Sequence, residues 1–107
     1  MATIYTQQLA NIQYTGEFIG EVYTVPADTT VIITDVDAFV LSLEEDEQYA
    51  LLLGAVPIFY YAGAAAQQVA LPWRGRQVLM PGQQIYLEWT GADLFLLAIT
   101  GYVLGPL

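Results

Sequence analysis

Asp35 and Asp37 stand two apart in a run of β-branched residues, and carboxylate chemistry is the chemistry this sequence retains. If Thr30 to Leu41 is a strand, both side chains share one face, roughly 7 Å apart at Cβ. A glycosidase pair needs carboxyls about 5–10 Å apart, flanking a cleft. The distance is allowed, but one strand face does not supply opposing positions. The preferred reading is therefore two solvated aspartates on an outer face or a subunit rim. Composition closes the other routes: there is no His, no Cys and no Lys. That removes Ser-His-Asp and Cys-His nucleophiles, Schiff-base lysines, and histidine or thiolate metal sites. The expectation is a non-enzymatic protein with no catalytic, metal or cofactor-binding residues and no cofactor.

Glu44-Glu45-Asp46-Glu47 could hold a hard cation such as calcium. Calcium loops space their ligands and turn the chain at a glycine, so four successive acids read better as an exposed, solvated loop. Arg74 and Arg76 are the only positive charges, against eleven acids. Their i, i+2 spacing puts them on one face of an extended segment. With so many acids available, each is expected to have a carboxylate partner within the domain or across a subunit boundary. The aromatics, Tyr60-Tyr61 among them, could stack on sugars, but read better as core or interface anchors.

These residues must be positioned by strands. The stretch Trp73 to Trp89 holds both tryptophans and both arginines. Met80-Pro81-Gly82-Gln83 within it reads as a type II turn, Pro setting φ and Gly supplying φ > 0. After it Ile85, Leu87 and Trp89 alternate with Tyr86, Glu88 and Thr90, the period of a half-buried strand. Upstream, Glu17 to Val25 reads as a strand and Pro26-Ala27-Asp28-Thr29 as a turn. Thr30 to Leu41 is a strand long enough to carry a bulge near Asp35. Ile32, Thr34, Val36, Ala38 and Val40 are expected on one face of it. Tyr49 to Tyr61 reads as one or two strands, with Pro57 at an edge, bulge or break. Val69, Leu71 and Trp73 share a face of the next. In the last strand Phe95, Leu97, Ile99 and Val103 share one face. Leu94, Leu96, Ala98, Tyr102 and Leu104 share the other, so both faces are apolar and both should be covered. Seven or eight strands at roughly 8–12-residue spacing predict one antiparallel β-sandwich, jelly-roll-like, over residues 1–107, with 1–16 as a first strand or an N-terminal arm.

Composition bounds the partners. The chain is 56% apolar and only 12% charged, about half the usual charged fraction. In a domain this small the apolar excess should lie partly on surface that another subunit covers. The net charge of −9 with no lysine disfavours nucleic acid and anionic membranes as ligands. The uncharged run Tyr49–Ala66 just reaches spanning length. Pro57, two glycines and strand-like flanks argue against a membrane span.

Two stretches together resemble small β-sandwich virion proteins of tailed bacteriophages. Val22-Tyr23-Thr24-Val25-Pro26-Ala27-Asp28-Thr29-Thr30 to Val36 is similar to their strand, V-P-A turn and strand. Trp73-Arg74-Gly75-Arg76-Gln77-Val78-Leu79-Met80-Pro81-Gly82 is similar to their later W-x-G-R-x-V-x-x-P-G element, and Ile99 to Leu104 to their closing strand. Members often carry Gly where this chain has Asp28. The resemblance covers most of Glu17 to Leu104. It implies a virion-located structural subunit, a capsid decoration or minor tail protein, that docks on another virion protein. The expected interface residues are Arg74, Arg76, Leu94, Leu96, Tyr102 and Leu104, in a homo-oligomer with a trimer favoured. The alternative from a different class is a carbohydrate- or receptor-binding β module built on Tyr60, Tyr61 and the acidic loop.

Overall fold

The computed structural model describes residues 3–42, 48–62, 67–91 and 93–105. The acidic run Glu44–Glu47 and the small-residue run after Ala62 lie outside the described residues. Eight strands follow one another: β1 (Thr3–Tyr14), β2 (Phe18–Thr24), β3 (Thr30–Ser42), β4 (Gln48–Leu53), β5 (Val56–Ala62), β6 (Gln67–Leu79), β7 (Gln84–Trp89) and β8 (Leu94–Gly105). They form two four-stranded antiparallel sheets: sheet A in the order β1-β8-β3-β6 and sheet B in the order β2-β7-β4-β5. Except for the β4–β5 hairpin, each strand is followed by one in the opposite sheet. This is the connectivity of an eight-stranded jelly roll, two interleaved Greek keys.

The core follows from period-2 alternation. Phe95, Leu97, Ile99 and Val103 of β8 point inward and are buried. Ile85, Leu87 and Trp89 of β7 face them from sheet B, beside Tyr49, Leu51 and Leu53 of β4. Each fully buried side chain of this size is worth about 1.5–3 kcal/mol over leaving it in water. Trp89, Phe95 and Tyr49 form an aromatic cluster, with ring centroids 5.4 Å apart for Trp89–Phe95 and 5.9 Å for Tyr49–Phe95. Burial pushes the Tyr49 hydroxyl above its ordinary pKa of 10.0, and Tyr61 adds to the shift.

Bulges reassign some faces. In β3 the register shifts between Ile33 and Asp35 against both β6 and β8. Val31 and Ile33 therefore join Val36, Ala38 and Val40 in the core, whereas simple alternation groups Ile32 and Thr34 with them. Asp35, Asp37 and Phe39 stay outward, and the bulge parts them from Val31 and Ile33, which alternation would put on their face. Pro57 sits on the edge strand β5, beside a register shift opposite Leu51 and Leu52. An edge bulge is where a residue without N–H does least damage. Trp73 packs against the margin of the core and is half-buried, because β6 is itself an edge. Gly75 makes room for it; a Cβ there would meet Trp73 Cζ2 at 2.8 Å.

Two turns lock together at one end. Gly82 has φ 85°, and Gln83 N–H donates to Met80 O at 3.0 Å, as a type II turn requires. Val25 N–H donates to Gln83 O and Gly82 N–H to Val25 O, both at 2.9 Å, tying this turn to the Pro26 turn. In the latter, Asp28 takes φ 61°. Asp tolerates the left-handed region far better than a β-branched residue does. Asp28→Gly is accordingly expected to keep or raise stability by up to about 1 kcal/mol, and Asp28→Val to lower it by about 1–3 kcal/mol. Urea midpoints of the three proteins check this. Equal midpoints for Gly and Val would show that the turn does not hold its geometry in solution.

Candidate functional site

Sheet A carries most of the residues singled out above on its outer face. Opposite the core-facing row of β8, the residues Leu94, Leu96, Ala98, Thr100, Tyr102 and Leu104 look outward. Leu96 is 36% and Tyr102 43% exposed; Leu94 and Leu104 are half-buried. Strand register extends this surface sideways. Gln13, Leu96, Phe39 and Ala70 form one cross-strand row, and Asn11, Ala98, Asp37 and Pro72 the next. The two rows line an open groove of about 650 Å³. Its floor is apolar, and its polar groups are Asn11 and Gln13 on one side and Asp37 near the other. On the far side of the aspartates, Ile32, Val78 and Tyr102 form a second apolar row, with Val78 46% exposed.

Between the two apolar areas lies a charged clamp. Arg74 stands opposite Asp35 in the β3–β6 register. Its Nε lies 3.2 Å from Asp35 Oδ1, and its Nη2 donates to both Asp37 oxygens at 3.1 and 3.2 Å. Nη1 donates to the carbonyl of Trp73 at 3.0 Å. One guanidinium thus occupies both carboxylates, which its planar donor fork suits. All three side chains are about half exposed, so each pair is worth at most about 1 kcal/mol. The aspartates lie on an outer face, about half exposed to solvent, with both carboxylates held by the one guanidinium. Both come within reach of one arginine because Asp35 and Asp37 share a strand face and Arg74 stands opposite Asp35.

Arg76 differs. Alternation along β6 places it on the same outer face, exposed, but both ion pairs among the described residues belong to Arg74. The expectation of a carboxylate partner for each arginine is met within the described residues at Arg74 alone.

The other candidate sites separate. Tyr60 is 75% exposed on the outer face of sheet B, while Tyr61 turns inward and stacks on Tyr49 at 5.6 Å. Adjacent residues of a strand face opposite ways, so the pair makes no joint sugar platform. The run Tyr49–Ala66 enters β4 and β5, which turn at Gly54 with φ 64°. No helix among the described residues is long and apolar enough to cross a membrane. No group of three or more His, Cys, Asp or Glu suited to a metal ion occurs among them either.

The sequence alone does not place Ala70 and Pro72 in the groove. Alternation does place Ala70 and Pro72 opposite Val69, Leu71 and Trp73. What it does not reveal is which strand lies beside β3.

No family model matches the sequence, and comparison with curated proteins returned no significant match. Among solved structures, the chain is similar to one in the cryo-EM structure of the extra small virus VLP of the giant freshwater prawn Macrobrachium rosenbergii. The two are 16% identical with a TM-score of 0.41, over 96% of this chain and 77% of that one. It is also similar to chains of infectious bursal disease virus, Gx strain (12% identical, TM-score 0.40, 98% of this chain) and Gt strain (11%, 0.38, 96%). This chain spans only 33% and 32% of the length of those two. At identities this low, function does not transfer.

Proposed function

We propose that this protein is a non-enzymatic structural subunit of a virus particle that self-associates and docks on another virion protein. The finer form of the reading is a capsid decoration or minor tail protein of a tailed phage, assembled as a trimer. The observation that carries it is the outer face of sheet A. A small jelly roll has buried one complete core and still exposes a second apolar surface, centred on Leu96, Phe39 and Tyr102 and crossed by a fixed Arg74–Asp35–Asp37 clamp. Such surface is kept when something covers it. The jelly-roll connectivity, which viral capsid domains share with lectins, and the motif resemblance across Glu17 to Leu104 support the virion assignment. The residues proposed to meet a partner are Arg74, Arg76, Leu94, Leu96, Tyr102 and Leu104.

The test is mass by light scattering in detergent-free buffer across a salt series. Copies carrying −9 each repel at low salt. At about 0.15 M the Debye length shrinks to about 8 Å, so a discrete oligomer should strengthen with salt. Arg76→Glu is expected to weaken assembly about tenfold while leaving the melting temperature within about 2 °C, since Arg76 makes no ion pair among the described residues. A protein that stays monomeric throughout, or a variant that assembles normally, overturns the corresponding part of the reading.

A further inference from the structure

If copies of this chain associate through sheet A, some surface of the neighbour must meet it, and the charge distribution selects which. Both basic residues of the chain sit on the outer face of sheet A. Arg74 is occupied by Asp35 and Asp37, and Arg76 is left with a positive charge and no ion pair among the described residues. With two arginines and two aspartates that face sums to zero charge, and Arg76 is its one cation without an ion pair among the described residues, while both carboxylates are held by Arg74. The outer face of sheet B is its complement. There Ile19, Glu88, Ala50 and Tyr60 form one cross-strand row, and Glu21, Tyr86, Leu52 and Pro57 the next. Glu21 accepts hydrogen bonds from Thr24 and Gln84, and Glu88 is exposed, with no cation paired to either among the described residues.

We propose that the outer face of sheet A packs on the outer face of sheet B of a second copy, so that subunits join head to tail with Arg76 set against Glu88. The proposal rests on the self-association read above and names its geometry. Three features favour it over a two-fold contact of like faces. Two copies of sheet B would oppose acids with acids. Two copies of sheet A would bring Arg76 to a face whose aspartates are already engaged. Either two-fold contact would also leave one apolar face uncovered, with Ile19 53% and Tyr60 75% exposed on sheet B and Leu96 and Tyr102 on sheet A. A head-to-tail contact covers both faces. It generates a closed ring where the rotation closes, and an open filament where it does not. The molecule measures 51 × 20 × 20 Å, so either face is large enough for the ~800 Å² per partner of a stable contact.

The experiment is sedimentation velocity on the full chain against concentration, for wild type, Arg76→Glu, Glu88→Arg and the double variant carrying both. Circular dichroism and melting temperature confirm that each is folded. The expected result is that each single variant raises the midpoint concentration of assembly about tenfold or more. The double variant, which restores opposite charges across every contact, should return to within about threefold of wild type. If wild type assembles and Glu88→Arg assembles equally well, the head-to-tail geometry is wrong while self-association stands. If both single variants weaken assembly and the double variant does not recover, Arg76 and Glu88 do not face each other and the proposal fails. If wild type is monomeric at every concentration, self-association itself fails, and the inference with it.

Discussion

Gly101→Ala is expected to lose about 3 kcal/mol or more, or to prevent folding. Gly101 lies in β8, paired with Gln7 of β1 on one side and Ile33 of β3 on the other. A Cβ there would run into the carbonyl oxygen of Ile32, and would come within 3.0 Å of Ile32 C and Ile33 Cα. These are backbone atoms in the middle of a sheet. They cannot rotate away as a side chain can, so the strands must part and the ladder beside the β3 bulge must break. Overpacking of ordinary side chains costs about 1–3 kcal/mol, and this clash has no soft partner. Gly16→Ala is the control, because a Cβ at Gly16 meets nothing within 4 Å. That variant should be neutral or slightly stabilising, by up to about 1 kcal/mol. Chemical denaturation of both variants is the check. Similar midpoints would mean that β3 and β8 do not approach this closely in solution.

Trp89→Ala should cost about 3–5 kcal/mol, the range for removing a large aromatic from a core. Trp89 is fully buried and packs against Phe95 and Tyr49. Its Nε1 has no hydrogen-bond partner among the described residues. The indole is therefore held for its volume and apolar contact. This sets up a sharp comparison: Trp89→Phe keeps most of the ring and deletes an unsatisfied donor, so it should lose no more than about 1–2 kcal/mol. Urea unfolding followed by circular dichroism distinguishes the two. A Phe variant as unstable as the Ala variant would show that the N–H finds a partner in solution. Trp73 gives the contrast. Being half-buried on an edge strand, it should tolerate Trp73→Phe with a smaller loss than Trp89→Phe.

Much of the fold was legible because alternation is a local property. The inward row of β8 and the Ile85, Leu87, Trp89 row of β7 can be read directly, since each side chain's face depends only on its parity within an unbroken strand. The Pro81-Gly82 turn was legible for a similar reason: Pro and Gly dictate their own dihedrals. Faces were misread where a bulge breaks parity. A bulge near Asp35 could be expected from the length of β3, but its exact place decides whether Ile32 or Ile33 is core. That place shows only in the register with Gly101 and Thr100 of β8, which are remote in sequence. Tyr14 and Phe18 show the same limit at shorter range. Their rings stack at 4.4 Å across the β1–β2 connection, a contact that needs the two sheets to be already facing each other.

The site divides the same way. Composition alone removed histidine, cysteine and lysine chemistry, and pointed to surplus apolar surface on a strongly acidic chain. The double apolar faces of β8 located part of that surface, because parity needs no partner strand. The pairing of Arg74 with Asp35 and Asp37, the groove formed by four strands, the isolation of Arg76 and the parting of Tyr60 from Tyr61 came only from the tertiary structure. Each depends on which strands become neighbours and in what register. In a jelly roll those neighbours are remote in sequence, and the hydrogen bonds that choose them carry no record of side-chain identity.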